Sequence, residues 1–446
     1  MNIKNYIEEN RSRFFEELFS LIRIPSVSAH THRKPEIQQC AELWKKLLLE
    51  AGVDNAEILP TKGNPVVFAT KTLDPKLPTI MVYGHYDVMP AEPLDLWTSP
   101  PFEPEIRDGK VYARGADDDK GQSFLHAKAF EYLVRTNQLN CNVKFILEGE
   151  EEIGSPSLED FCWKNKKLLE CDTILVSDTS MLAADKPSIT TGLRGLAYWE
   201  IEITGANRDL HSGIFGGAVA NPITELSKIL AGLIDEDGKI TIPHFYDDVE
   251  KVSEKERELF AQIPLDEDEY KKDLGIKHVF GEKGYSTIER TGIRPTLDIC
   301  GIWGGYTGEG SKTVLPSKAY AKLSARLVPH QQYDKIAPLV EKHLKEIAPK
   351  HIDIKVIRLH GAESSTEYKA AEKAYEKAFG KKPLPVRRGG SIGVIPVFER
   401  VLGIKPILMG FGLESNAIHS PNENFSIDLY DKGIETIVEF YKEYTN

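Results

Sequence analysis

The chain has 446 residues, 56 of them Lys or Arg and 68 Asp or Glu, for a formal charge of −12. Hydrophobic residues make up 41% and charged residues 28%, a soluble globular composition that is neither disordered nor membrane-like, at a length that calls for two or three domains. The acidic balance argues against nucleic acid or an anionic membrane surface as the main partner.

The opening segment, MNIKNYIEENRSRFFEELFSLIRIPSV, reads as an amphipathic helix. Glu8, Glu9, Glu16 and Glu17 interrupt it, so it lacks the apolar core of a signal peptide. No apolar run approaches the roughly 18–20 residues of a membrane span. The cysteines (Cys40, Cys141, Cys162, Cys171, Cys300) are scattered and form no CxxC pair. They suggest a reduced, cytoplasmic protein with buried thiols, and neither a disulfide framework nor a thiolate zinc site.

A second helix is expected over 35–51, ending at Gly52. Strands are then expected over 65–70, 79–83, 142–147 and 173–176, alternating with helices over 121–136 and 157–167. That alternation describes an α/β sheet with helices on its faces. The style changes near Gly192. Residues 196–204 alternate apolar and polar, 221–233 read as helix, 320–328 as strand, 332–347 as amphipathic helix and 351–359 as an alternating strand. This is an α+β unit; the polar stretch 235–310 inside it gives no assignment. The α/β style returns with a helix over 367–379, a strand over 386–390, a helix over 393–402 and a strand over 405–409. The reading is one α/β domain, 1–191 and 362–446, interrupted by an inserted α+β domain over 192–361.

The chemistry gathers where expected strands end, the place where open α/β sheets put their ligand crevices. His85 and Asp87 follow the strand 79–83 and point to one side of an extended chain. A carboxylate so placed can orient a metal-bound imidazole; taken singly, the pair also fits a surface turn. Asp117, Asp118 and Asp119 repel one another; they fit either a solvated helix N-terminus or a carboxylate bridging two cations. Glu148, Glu150, Glu151 and Glu152 crowd the end of the strand 142–147, where carboxylates either take up protons or find cations. One with a raised pKa would serve as general base. Asp178 follows the strand 173–176, and His419 lies near the C-terminus. Imidazole with carboxylate makes Zn²⁺ the first choice, with Mn²⁺ or Co²⁺ as substitutes.

The motifs GHYDV, YARGADDDKG, EGEEEIGS, SD, DLHSG, SKTVLP, RLVP, GGS and AIHS occur in that order along nearly the whole chain. The set resembles the di-zinc aminopeptidase-like family of carnosinases, cytosolic nonspecific dipeptidase, glutamate carboxypeptidase, acetylornithine deacetylase and succinyl-diaminopimelate desuccinylase. The resemblance implies an aminopeptidase-like catalytic domain, its mixed sheet flanked by helices, with the insert as a lid and dimerisation domain. It implies His85, Asp178 and bridging Asp118 on one ion, and Glu152, His419 and Asp118 on the other. Asp87 would orient His85, and Glu151 would be the general base. Glu148 and Glu150 are left as supporting acids.

His211 matches a histidine that reaches the partner subunit's site and hydrogen-bonds the oxyanion. Thr313, Arg326 and Ser391 match substrate-binding positions of the dipeptidase branch; the planar fork of Arg326 suits a substrate carboxylate. Two departures stand out. Arg387-Arg388 replaces a usual Arg-Glu pair, and Asp117 and Asp119 flank the bridging acid where relatives often carry a neutral residue. The implied function is hydrolysis of dipeptides or short peptides by a cytoplasmic homodimer with two metal ions. The alternatives are an N-acyl amino acid deacylase and a non-catalytic relative that binds metal or peptide. The stretch Gly305–Thr313 evokes a Walker loop, but Ser311 separates Gly310 from Lys312 and Glu309 puts a negative charge in the cradle.

Overall fold

The first helix, Ile3–Ile22, places Phe14, Phe15, Leu18, Leu21 and Ile22 in the core and keeps Glu8, Glu9 and Glu16 in water. The side chain of Asn2 caps it by accepting from the Asn5 amide. This computed structural model describes residues 2–261, 263, 265–362, 371–388 and 392–445. The second helix, Lys34–Ala51, ends at Gly52, whose φ is 111° and whose missing Cβ would lie 2.9 Å from Val134. Only glycine meets both demands at once. None of the described helices is long and apolar enough to cross a membrane.

The chain divides into two compact units. One comprises Met1–Thr191, Thr366–Val386 and Ile392–Asn446; the other comprises Gly192–Ser365 and Arg387–Ser391. The first is built on an eight-stranded mixed sheet. Its strand order is Asn55–Leu59, Val66–Lys71, Asn142–Glu148, Thr79–His85, Thr173–Val176, Ile407–Leu408, Ser188–Leu193 and Leu384–Arg388. At its centre Thr79–His85 runs parallel to both neighbours, with Ile80 opposite Val143 on one side and Thr173 on the other. These strands are nearly continuous apolar runs because helices cover both faces. Phe14, Trp44, Leu48, Phe124, Tyr430 and Ile434 belong to the same buried cluster. Each such side chain contributes on the order of 1.5–3 kcal/mol by leaving water.

The second unit carries a four-stranded antiparallel sheet in the order Thr296–Gly304, Lys318–Leu327, Gly195–Thr204, Asp353–Ala362. Gly195–Thr204 alternates strictly between buried and half-buried residues. Ala197, Trp199, Ile201 and Ile203 pack with Leu226, Ile229 and Leu230 of the helix Pro222–Ala231 and with Val340 and Leu344 of the helix Tyr333–Ile347.

The stretch left unassigned from sequence holds the short helices Glu254–Ala261, Glu267–Asp273 and Thr287–Gly292 and the strand Thr296–Gly304. That strand hides from pattern reading because its register shifts between Ile299 and Gly301 while Ile299, Ile302 and Trp303 stay exposed. The helix expected over 367–379 is seen from Glu372 to Phe379; residues 363–370 lie outside the described residues. The strand expected over 386–390 is Leu384–Arg388, and 389–390 again lie outside. No helix opens after Thr313: Val314–Leu315 is a strand paired with Leu210–His211, so a phosphate cradle lacks its helix N-terminus.

Candidate metal centre and active site

Three adjacent parallel strands deliver the chemistry at their C-terminal ends. His85 ends one strand and stands in register with Glu148 of the next, and Ser177-Asp178 follows the third. Past Glu148 the chain turns through Gly149 and Glu150 into a single 3₁₀ turn, Glu151–Ile153. Two chain segments then meet these ends. One is the turn Gly115–Asp119, which leads into the helix Lys120–Arg135; the other is the loop carrying His419. The Gly121 amide donates to the Gly115 carbonyl, and a Cβ at Gly121 would fall 1.8 Å from the Ala116 carbonyl oxygen. The glycine of D-x-K-G is therefore what lets the helix start directly against the turn.

Two triads result. His85, Asp118 and Asp178 form one; Asp118, Glu152 and His419 form the other. Within each, one ligand atom per residue lies within 4.8 Å of the others. In the first, His85 Nε2 is 3.0 Å from Asp118 Oδ1 and 3.9 Å from Asp178 Oδ2. The other ring nitrogen, Nδ1, lies 3.0 Å from the Asp87 carbonyl and 3.4 Å from its carboxylate, which leaves Nε2 to face the acids. In the second, His419 Nε2 is 2.9 Å from Asp118 Oδ2 and 3.2 Å from Glu152 Oε2. Asp118 thus offers one oxygen to each triad.

The supporting carboxylates are tied to backbone. Asp87 is fully buried and accepts from the amides of Glu151 and Glu152, each at 3.2 Å. It thus contacts both His85 and the acidic turn. Glu150 accepts from the amides of Asn64 and Ser157, and Glu148 accepts from the hydroxyls of Tyr83 and Ser155. Glu152 Oε1 accepts from the Met89 amide, which leaves Oε2 toward His419. Asp119 accepts from the His85 amide and the Ser123 hydroxyl.

The electrostatics report a surplus of buried negative charge. Burial, with Asp118 nearby, pushes Asp178 well above the carboxylate range and Glu152 up to about 7. Burial, reinforced by Glu152 and Asp118 against the opposing pull of His85, likewise raises Glu151 well above its ordinary value. Burial works against charging His419, yet hydrogen bonds to Asp118 and Glu152 raise it to about 10. Burial also works against His85, and the hydrogen bonds to Asp118 and Asp87 overcome it. Asp118, hydrogen-bonded to both rings, stays below the carboxylate range although burial opposes it. Imidazole nitrogens and paired carboxylates here face common points, an arrangement that suits a shared cation. The donor set, one imidazole and two carboxylates per triad, fits a pair of divalent ions that share Asp118.

His211, Thr313 and Arg326 belong to the inserted unit. His211 and Thr313 are exposed and adjacent: His211 pairs with Val314, and the Thr313 carbonyl accepts from the Ser212 amide at 3.1 Å. Arg326 is half-buried on the four-stranded sheet, opposite Leu196 and Thr296. Ser391 lies outside the described residues. Sequence reasoning missed Glu423 and Arg114, both buried and paired at 2.7 Å beside the Gly115–Asp119 turn. The available signal was an acid four residues after His419, and loops have no facing rule that would have selected it.

Residues 81–443 match the model of peptidase family M20/M25/M40. A Cys-Gly metallodipeptidase of Candida albicans is 33% identical, the alignment covering 97% of this chain and 94% of the relative. The crystal structure of human carnosine dipeptidase 1 superposes with a TM-score of 0.89 at 29% identity, covering 99% of this chain and 98% of the other. An M20 family metallo-carboxypeptidase from Sulfolobus solfataricus is 35% identical, with a TM-score of 0.86 over 97% of this chain and 99% of the other. The chain belongs to peptidase family M20/M25/M40, and its architecture is the family's α/β catalytic domain interrupted by an α+β insert. It is a metallopeptidase with a candidate site for a dinuclear metal centre.

Proposed function

We propose that the protein is a di-zinc dipeptidase that cleaves dipeptides or short peptides, with Mn²⁺ or Co²⁺ able to substitute. The observation that carries the reading is the pair of triads sharing Asp118, with Glu151 on the turn beside them. The named activities of the relatives, Cys-Gly and carnosine dipeptidases, support a dipeptide substrate. When bound, two divalent ions would polarise the scissile carbonyl and lower the pKa of the attacking water.

The residues of the chain do the rest. Glu151 takes the proton of the water and returns it to the leaving amine, a task suited to a carboxylate whose basicity burial raises. Asp87 keeps His85 in the tautomer that faces Asp118 and Asp178 while fixing the amides of Glu151 and Glu152. His211 accepts from the Gly213 amide through Nδ1, which leaves Nε2 as the ring nitrogen able to donate. That donor would hydrogen-bond the developing oxyanion. Arg326 would bind the substrate's C-terminal carboxylate, with Thr313 and Ser391 completing the contacts.

We assign His211 to a neighbouring subunit's site in a homodimer formed through the insert. Among the described residues, Thr296–Gly304 is an edge strand bonded only to Lys318–Leu327, and it exposes Ile299, Ile302 and Trp303. Such an edge invites pairing with a second chain. The cysteines are free, which suits a cytoplasmic setting.

Substituting Glu151→Gln should lower kcat on dipeptides by about a thousandfold while two metal equivalents per chain remain bound. Retained turnover would remove Glu151 as the base. A panel of dipeptides and N-acyl amino acids separates dipeptidase from deacylase: faster cleavage of the N-acyl set would overturn the dipeptide assignment.

A further inference from the structure

Glu423 belongs to neither triad, yet it is hydrogen-bonded to the turn that carries Asp118. It is fully buried, and its carboxylate accepts from donors on one short segment. Oε1 takes the amides of Asp117 and Asp118 at 3.0 and 3.1 Å. Oε2 takes the Gly115 amide at 3.0 Å and Arg114 Nη1 at 2.7 Å. These amides precede the helix Lys120–Arg135 and belong to a tight turn that has no ladder partners, so without Glu423 they would be buried and unsatisfied. The same carboxylate sits at the end of the loop carrying His419. The loop is held again at its start, where Asn416 donates to Asp117 Oδ2 at 2.7 Å. After Glu423 the chain enters the strand Asn424–Ser426, which pairs with Lys110–Tyr112 and fixes where the carboxylate lies.

We propose that Glu423 is a positioning residue for the metal pair. By gathering the amides of Gly115, Asp117 and Asp118, it aims Asp118 at both triads and holds the His419 loop in register with that turn. The inference rests on the metal-centre reading above. A buried Arg–Glu pair is by itself weak evidence for any role beyond packing. Here, however, three of the four donors to Glu423 are amides of the turn that presents the one residue shared by both triads. A carboxylate can accept from all of them, whereas the amide of glutamine would turn a donor toward donors. Arg114, held in turn by the Pro90 carbonyl at 3.1 Å, keeps the carboxylate in place.

The test is Co²⁺ titration of the full-length, ion-free protein, read by calorimetry and by the visible cobalt absorption. Circular dichroism and the melting temperature of the ion-free protein follow the fold. The native protein should bind two Co²⁺ per chain. Glu423→Gln should bind both about ten- to a hundredfold more weakly, as loss of a ligand-orienting partner does elsewhere. Glu423→Asp keeps the charge beside Arg114 but shortens the reach, and should bind with intermediate affinity. A purely structural role would lower the melting temperature and leave both cobalt constants at the native values; that result in either variant overturns the inference. If Glu423→Gln does not fold, Glu423→Asp decides by the same criterion. A native protein that binds no Co²⁺ would overturn the metal-centre reading and this inference with it, an outcome distinct from native binding undisturbed by the substitutions.

Discussion

The two sheets of the molecule solve the burial problem differently, and the difference governs where chemistry can sit. In the eight-stranded sheet, Thr79–His85 is buried from Ile80 onward, and Thr173–Val176 is buried throughout. A strand covered on both faces has no place for an acid along its length, so polar groups collect at its end. His85, the Glu151–Glu152 turn and Asp178 emerge side by side because their strands are parallel and adjacent. In the four-stranded sheet, Gly195–Thr204 buries one face and leaves Tyr198, Glu200 and Glu202 half-exposed on the other. Polar residues there are spread along the strands: Arg326 sits on this sheet, whereas His211 and Thr313 lie side by side at the separate pairing of Leu210–His211 with Val314–Leu315.

Breaking the convergence in the first unit should have the largest effect. Asp118→Ala removes the only described residue common to both triads; metal analysis should find both ions lost, and dipeptide turnover should fall to background. A variant that keeps two equivalents would show that the triads do not depend on a shared ligand. Next comes the dispersed chemistry of the insert. His211→Ala should cost about a hundred- to a thousandfold in kcat, the scale of a lost oxyanion donor, with metal content unchanged. Mixing it with Glu151→Gln under conditions of subunit exchange should restore part of the activity if sites are shared across a dimer. No recovery after verified exchange would confine each site to one chain.

The packing of the insert can be tested alone. Trp199 is fully buried in the one-faced core, and Trp199→Ala should cost about 3–5 kcal/mol in denaturant unfolding of that unit. A loss below about 1 kcal/mol would mean the face is not packed as described. A smaller effect concerns the first unit's helical layer. Glu131 is buried and accepts from Tyr6, Arg13 and Lys128. Although burial opposes it, the Arg13 and Lys128 contacts lower its pKa from 4.5 to about 2. A depressed folded-state value stabilises above the unfolded pKa and is lost as pH falls through the folded one. The Glu131→Gln variant should therefore trail the native protein by roughly 2–3 kcal/mol near neutral pH. The gap should close as pH drops from 4.5 to about 2. A gap independent of pH would assign the difference to packing.

Much of this was legible in the chain. The strands 79–83, 142–147 and 173–176 were recognisable as short apolar runs, and they appear at Thr79–His85, Asn142–Glu148 and Thr173–Val176. The alternation of 196–204 survives as the buried and half-buried pattern of Gly195–Thr204. The strand Thr296–Gly304 was not legible, because an edge strand with a register shift and exposed Ile302 and Trp303 has no clean period. Asp87 could be read as a partner of His85, two residues away. Its second task, accepting from the Glu151 and Glu152 amides, spans 64 and 65 residues and has no sequence signature.

The sequence by itself determined which residue types were available, the periodicities that make one sheet two-faced and the other one-faced, and the placement of acids and histidines after strands. These are local consequences of side-chain chemistry and backbone period. Only the tertiary structure decided that Asp118 turns one oxygen to His85 and the other to His419. Only it decided that Glu423, 305 residues further along the chain, holds the Asp118 amide. Those choices rest on which strands are neighbours and on which buried amides still need an acceptor, and both are settled when the chain closes on itself.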